Sequence, residues 1–196
     1  MLDQMRIQED LAYVLDGAAA QTGLNRATWH RQVAGDGELA FLPVDTDGLR
    51  LIATYPNKIA QVLGQLNRYR TPLPRIRVRL AMDHGTLMPG SFGPVGQAPI
   101  TVRRLLDSQI LRNELLDTEA DLVLIVSPTI YDGIVKTQLG GLEPSLYHLV
   151  KVRAKNVNYD GYIYRGLFGI EEIVVQRSVW LRFRRTASRD SRIVEP

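Results

Sequence analysis

The sequence predicts an α/β fold, a mixed β-sheet with helices packed on it. Three observations carry that reading. Helical and strand-like segments alternate along most of the chain. Asp121 to Val126 is an unbroken apolar run, as expected of a central strand. Ile76 to Met82 alternates apolar and charged residues with period two, the pattern of a half-buried strand.

The elements follow in order. Met5, Leu11, Val14, Leu15 and Ala18 recur at helical spacing, which predicts a helix over about 3–21. Asp3 is placed to cap it and Gly23 to end it. Two short strands are expected over 28–33 and 38–42. Gly35-Asp36-Gly37 forms a tight turn between them, because glycine supplies the positive φ it needs. Ile59, Val62, Leu63 and Leu66 stripe a second helix from Pro56 to Tyr69, with Pro56 suited to its first turn.

After the alternating strand, the Gly- and Pro-rich stretch 83–99 reads as a loop or loose hairpin, and 100–116 as a helix. Ser127 caps a short helix opened by Pro128. Closing strands are expected over 148–154 and 162–164, joined by a turn around 156–161. The chain divides into a domain over 1–166 and a basic extension over 167–196, whose texture suits a strand pair or a docking element.

With 196 residues, one core of ordinary size can form, and no cysteine is present. Disulfides, thiolate metal sites and cysteine nucleophiles are thereby excluded. No apolar run approaches the roughly 20 residues that cross a bilayer, and the first residues lack a secretory pattern. A cytoplasmic protein is expected. The net charge is +3. Arg177, Arg182, Arg184, Arg185, Arg189 and Arg192 concentrate positive charge near the end. That tail suits nucleic-acid or membrane phosphates, though a solvated end is the plainer reading.

Six blocks in order carry a family resemblance: VAGDGELAFL, YPNKIAQVLGQLNRY, IRVRLAMDHG, GQAPITVRRLLD, LVLIVSPTIYDGIV and VRAKNVNYDGYIY. Together they resemble a class III nucleotidyl cyclase domain. They are most similar to the inactive cyclase-like domains of actinobacterial signalling and conflict systems. The resemblance implies a ferredoxin-like mixed sheet. It also implies a site at a dimer interface, where two divalent metals on two aspartates assist attack of a ribose hydroxyl on the α-phosphate.

Carried onto this chain, the resemblance gives Asp36 the second metal aspartate, and Mg²⁺ or Mn²⁺ would accompany a bound nucleotide. The first aspartate belongs on a strand before the opening helix, and this sequence offers no candidate there. Gly96 to Leu105 matches the family's helix motif. Arg104 falls on its phosphate-binding arginine, but Ile100 replaces the asparagine that orients ribose. Gln32 and Gly93 fall on the two base-selecting positions, and glycine has no side chain to read a base. Lys155 matches the late phosphate-contacting lysine, although Asn156 stands where a glycine follows it. Asp83 replaces a histidine, with His84 beside it.

Plainer readings stand next to each role. Asp36 suits a turn for local reasons. Arg103 and Arg104 suit a helix surface, and Lys155 a solvated strand face shared with Lys151 and Arg153. His84 has no second His or Cys at ligand spacing. His30 and His148 fit strand packing. The expectation is a degenerate, non-catalytic regulatory or sensor module. It would bind a nucleotide, or act as a homodimer or through a protein partner, in bacterial signalling or defence. An active cyclase making a cyclic mononucleotide is the alternative.

Overall fold

The computed structural model describes residues 2–70, 73–91, 93–154, 156–166 and 168. Its opening helix, α1, spans Leu2–Thr22. Asp3 therefore lies inside the first turn and is not the cap. The helix ends as its sequence requires, with Gly23 at φ +69. Leu24 N–H donates to Ala19 C=O at 2.9 Å, and Gly23 N–H to Ala20 C=O at 3.1 Å, a Schellman closure.

A 3₁₀ turn over Arg26–Thr28 takes the place of the expected strand start, capped by the Asn25 side chain. Strand β1 (His30–Ala34) and strand β2 (Gly37–Phe41) then pair antiparallel, with Ala34 opposite Gly37. The turn is the two residues Gly35-Asp36, and Gly35 has φ +63. A helix not expected from the pattern, α2 (Gly48–Ala53), follows under an Asp47 cap. Helix α3 (Tyr55–Arg68) carries Pro56 in its first turn, where a missing N–H costs nothing.

Strand β3 (Val78–Met82) leads to α4 (Gln97–Leu106) and α5 (Gln109–Asp117). The expected single helix thus begins three residues early and breaks at Ser108, whose hydroxyl caps α5 by accepting from Leu111 N–H. Strand β4 (Leu122–Val126) is buried along its whole length. Helix α6 (Pro128–Gly133) starts under Ser127, which accepts from Ile130 N–H at 3.3 Å. Strands β5 (Tyr147–Ala154) and β6 (Val157–Tyr164) form a long hairpin in register Ala154 to Val157. The turn is consequently two residues, not the stretch 156–161, most of which is strand. Asn156 adopts φ +63 there, a conformation asparagine tolerates.

The main sheet has the order β3-β4-β6-β5, with β3 and β4 parallel and the rest antiparallel. Hairpin β1-β2 forms a separate two-stranded sheet. The fold is thus mixed α/β, as the sequence predicts. Alternation along the central strand sorts the core into layers. Leu122, Leu124 and Val126 face α1, α2, α3 and α6, whereas Val123 and Ile125 face α4 and α5. Gly161 on β6 lets α4 approach closely, since a Cβ there would lie 2.9 Å from Leu105 Cδ2.

Polar side chains fix the ends of these elements. The Asn67 side chain donates to Ile76 C=O and accepts from Ile76 N–H, both at 2.8 Å, tying the end of α3 to the approach to β3. Arg77 donates to the carbonyls of Leu115, Thr118 and Ala120 at the end of α5. No helix among the described residues is long and apolar enough to cross a membrane.

Candidate functional site

Two places gather the residues that the sequence singles out. The first is the hairpin β1-β2 and the loop that follows β3. A single bridge pairs Met88 with Val95, and Gly93 N–H closes the tip on Gly90 C=O at 3.1 Å. Gly93 has φ +113, which only glycine adopts readily. A Cβ on Gly93 would stand 2.3 Å from Gln32 Nε2 and 3.4 Å from His30 Nε2. Gln32 and Gly93, far apart in sequence, are thus pressed together. The amide fills the space a side chain at 93 would need.

Asp36 lies at the exposed tip of the hairpin. The Gln8 side chain anchors that turn by donating to Gly35 C=O. Among the described residues, no group of three or more His, Cys, Asp or Glu could hold a metal ion. Asp36 by itself does not supply the donor set of a two-metal centre, and no metal-dependent step is derived from it. Arg104 sits half-buried on α4 and shares no hydrogen bond or ion pair with Asp36. Ile100, one turn earlier on the same helix face, is 47% exposed. Lys155 lies outside the described residues, as do 169–196 and so all the arginines of the tail.

An ion-pair cluster ties the hairpin to α1, gripping β2 at Glu38, one pair in from the turn-closing Ala34–Gly37. Arg26 is 5% exposed, and its guanidinium grips Glu38 with two nitrogens and Asp16 with the third. It also lies 5.6 Å from the Trp29 ring centroid. Burial disfavours its charge, but the hydrogen bonds it donates to Glu38 and Asp16 outweigh that and hold its pKa above the ordinary value. Burial pushes the Tyr55 hydroxyl up as well, partly offset by the charge of Arg26. Sequence reasoning missed Arg26, because nothing local separates it from a surface arginine.

The second place is a cleft of about 240 Å³ at the carboxyl ends of β3 and β4, lined by Asp83, His84, Thr86, Gln97, Thr101 and Ser127 among others. Crevices at this end of parallel strands are where open α/β sheets commonly bind ligands. Gly85 and Gly96 bring the loop against α4. A Cβ on Gly96 would meet Thr86 C=O at 2.6 Å, and one on Gly85 would meet Ala98 Cβ at 3.2 Å. Asp83 turns inward on itself, accepting the His84 backbone N–H at 2.8 Å. Ser127 is spent as a helix cap, as its sequence context predicts.

No family model and no curated protein matches the chain. Among solved structures, that of the guanylyl cyclase Cya2 is similar over 80% of this chain and 79% of that one, with 17% identity and a TM-score of 0.44.

Proposed function

We propose that this chain is a nucleotidyl cyclase-like module that binds a phosphate-bearing ligand, or a partner, without turning a nucleotide over. The observation that carries this reading is the contact between Gln32 and Gly93. These are the two positions that the family resemblance assigns to base selection. Here one is a glycine at φ +113, and the other leaves no room for a side chain opposite it. Such a pair cannot present two hydrogen-bonding groups to a base edge.

Ile100 supports the same conclusion. Its exposed hydrocarbon stands where the resemblance expects a ribose-orienting amide, and loss of an orienting contact commonly costs about 10²-fold in rate. Arg104 is the group retained for phosphate, with Lys155 as its proposed companion. Mg²⁺ or Mn²⁺ enters this reading only as the counter-ion of a bound triphosphate, near Asp36. Action as a homodimer, or on a protein partner in signalling or defence, belongs to the same proposal.

Calorimetry of the full chain with each nucleoside triphosphate and Mn²⁺ tests it. Binding is expected to be insensitive to the base, to weaken at least tenfold in Arg104→Ala, and to yield no cyclic product. A cyclic mononucleotide that disappears in Asp36→Ala would establish the active-cyclase reading instead. Absence of binding at millimolar ligand would leave a protein-interaction module.

A further inference from the structure

The cleft at the carboxyl ends of β3 and β4 has walls that are tied to one another. Ser127 N–H donates to Met82 C=O at 3.0 Å, which joins the end of β4 to the end of β3. The Ser127 hydroxyl starts α6, and the close approaches at Gly85 and Gly96 press the loop onto α4. At about 240 Å³ the space is far larger than the roughly 15 Å³ that a single water needs.

The chemistry of the walls restricts what can enter. Asp83, His84, Thr86, Gln97, Thr101 and Thr129 supply side-chain polar groups. Among the described residues, no lysine, arginine, aromatic or long aliphatic side chain joins them. An apolar molecule finds no apolar wall there. An anion meets the Asp83 carboxylate with no lysine or arginine to offset it. A divalent metal lacks its donor set, because no group of three or more His, Cys, Asp or Glu among the described residues could hold one.

Asp83 differs from its counterparts elsewhere in the fold. Asp10, Glu38, Asp83, Glu114 and Asp121 are the half-buried carboxylates among the described residues. Arg70 pairs with Asp10, Arg26 with Glu38, Arg165 with Glu114 and Arg75 with Asp121. Taking a carboxylate out of water ordinarily requires such a partner. Asp83 accepts the His84 backbone N–H at 2.8 Å, and no cation among the described residues pairs with it. Its neighbours in the cleft offer acceptors rather than charge. The Thr101 hydroxyl already gives its proton to Gln97 C=O at 3.2 Å, so toward a ligand it accepts.

We propose that the cleft binds a small hydrophilic organic cation, a primary amine on a short hydroxyl-bearing chain. Its ammonium group takes at Asp83 the place that an arginine takes at each of the other carboxylates, and Thr101 accepts a second of its protons. Thr86, Thr129 and Gln97 meet the hydroxyls of the ligand. Asp36, Arg104 and Lys155 have no part in this site, so its test leaves the phosphate-ligand reading unaffected.

Calorimetry and backbone-amide NMR of the full chain with serinol (glycerol with an amine on its middle carbon) test this. Glycerol and glycerate serve as the neutral and anionic analogues. Serinol is expected to bind at least tenfold more tightly than either, with shifts centred on Gly85, Gln97 and Thr129. Asp83→Asn keeps an oxygen for the His84 N–H but loses the charge, and should weaken serinol at least tenfold. Thr101→Val should weaken it about threefold. Asp117→Asn, an equal charge change at an exposed position of α5, should leave it unaltered. Absence of serinol binding at tens of millimolar overturns the proposal, and so does equal binding of glycerol; neither measurement needs a variant to fold. An affinity unchanged in Asp83→Asn overturns it too. Tighter binding of glycerate does the same and assigns the cleft to an anion at the start of α4.

Discussion

The central strand β4 and the hairpin β1-β2 are held by different physics. All five residues of β4 are buried, with apolar layers on both faces and strands on both edges. The hairpin has one paired edge per strand. Its side-chain anchors are a buried arginine between two carboxylates, the Gln32 amide on Gly93, and the Gln8 contact at the turn. Apolar layers distribute stability over many small contacts, whereas the hairpin adds a few directional ones to the burial of Phe41 and the packing of Ala40 against α1 and α3. A protein built this way can lose or shift the hairpin while the sheet stays intact.

The comparison breaks first at the core. Leu124→Ala should cost about 2–5 kcal/mol, from lost burial and the cavity left behind, and should lower the Tm of the whole domain in one transition. Arg26→Ala comes next, at about 2–3 kcal/mol, because Glu38 at 16% side-chain exposure loses a bidentate partner. Here the loss should be local. Exchange protection of β1 and β2 should fall while β4 keeps its own, and a uniform loss would show that the two regions are one cooperative unit.

Gly93→Ala should cost about 1–3 kcal/mol through its φ of +113 alone. Shortening the opposing amide with Gln32→Ala should relieve the clash but not the backbone strain, so the double variant should remain less stable than Gln32→Ala. Smallest at neutral pH is Tyr55→Phe, about 1 kcal/mol for the bond to Leu15 C=O at 3.3 Å. Its signature is pH dependence. The folded hydroxyl titrates above its ordinary 10.0, so the unfolded chain loses the proton first. Stability is therefore full below about pH 10 and falls as pH rises beyond it. Tyr55→Phe should flatten that fall, read as Tm against pH, leaving the part due to the buried Tyr147 hydroxyl, which is shifted the same way.

Much of the fold was legible because its signals are local. Period-two alternation marked β3, the run of apolar residues marked β4, and Gly35-Asp36 and Ser127-Pro128 fixed a turn and a helix start through their own backbone chemistry. Errors arose where tertiary contacts decide. Helix α2 is six residues long and owes its position to the Asp47 cap and to Ile52 in the core, too short a span for periodicity to show. The break at Ser108 hides inside a continuous helical pattern. The turn of the last hairpin was drawn too long because Asn156 to Gly161 is rich in turn-forming residues, yet Asn158 and Asp160 simply occupy exposed strand positions. At the candidate site, sequence identified Gln32 and Gly93 separately. Only the fold reveals that they touch, and only the fold reveals that Arg26 is buried against Glu38 and Asp16.

Arg77 has a wider consequence. Antiparallel neighbours such as β5 and β6 are set in register by the two-residue turn that joins them. Parallel neighbours have no such device, and β3 and β4 are separated in the chain by two whole helices. A guanidinium collecting carbonyls from Leu115 to Ala120 fastens the entrance of β4 to the entrance of β3. The alignment of this parallel pair is thus set by a side-chain fastener outside the strand ladder, which no turn between the two strands could supply.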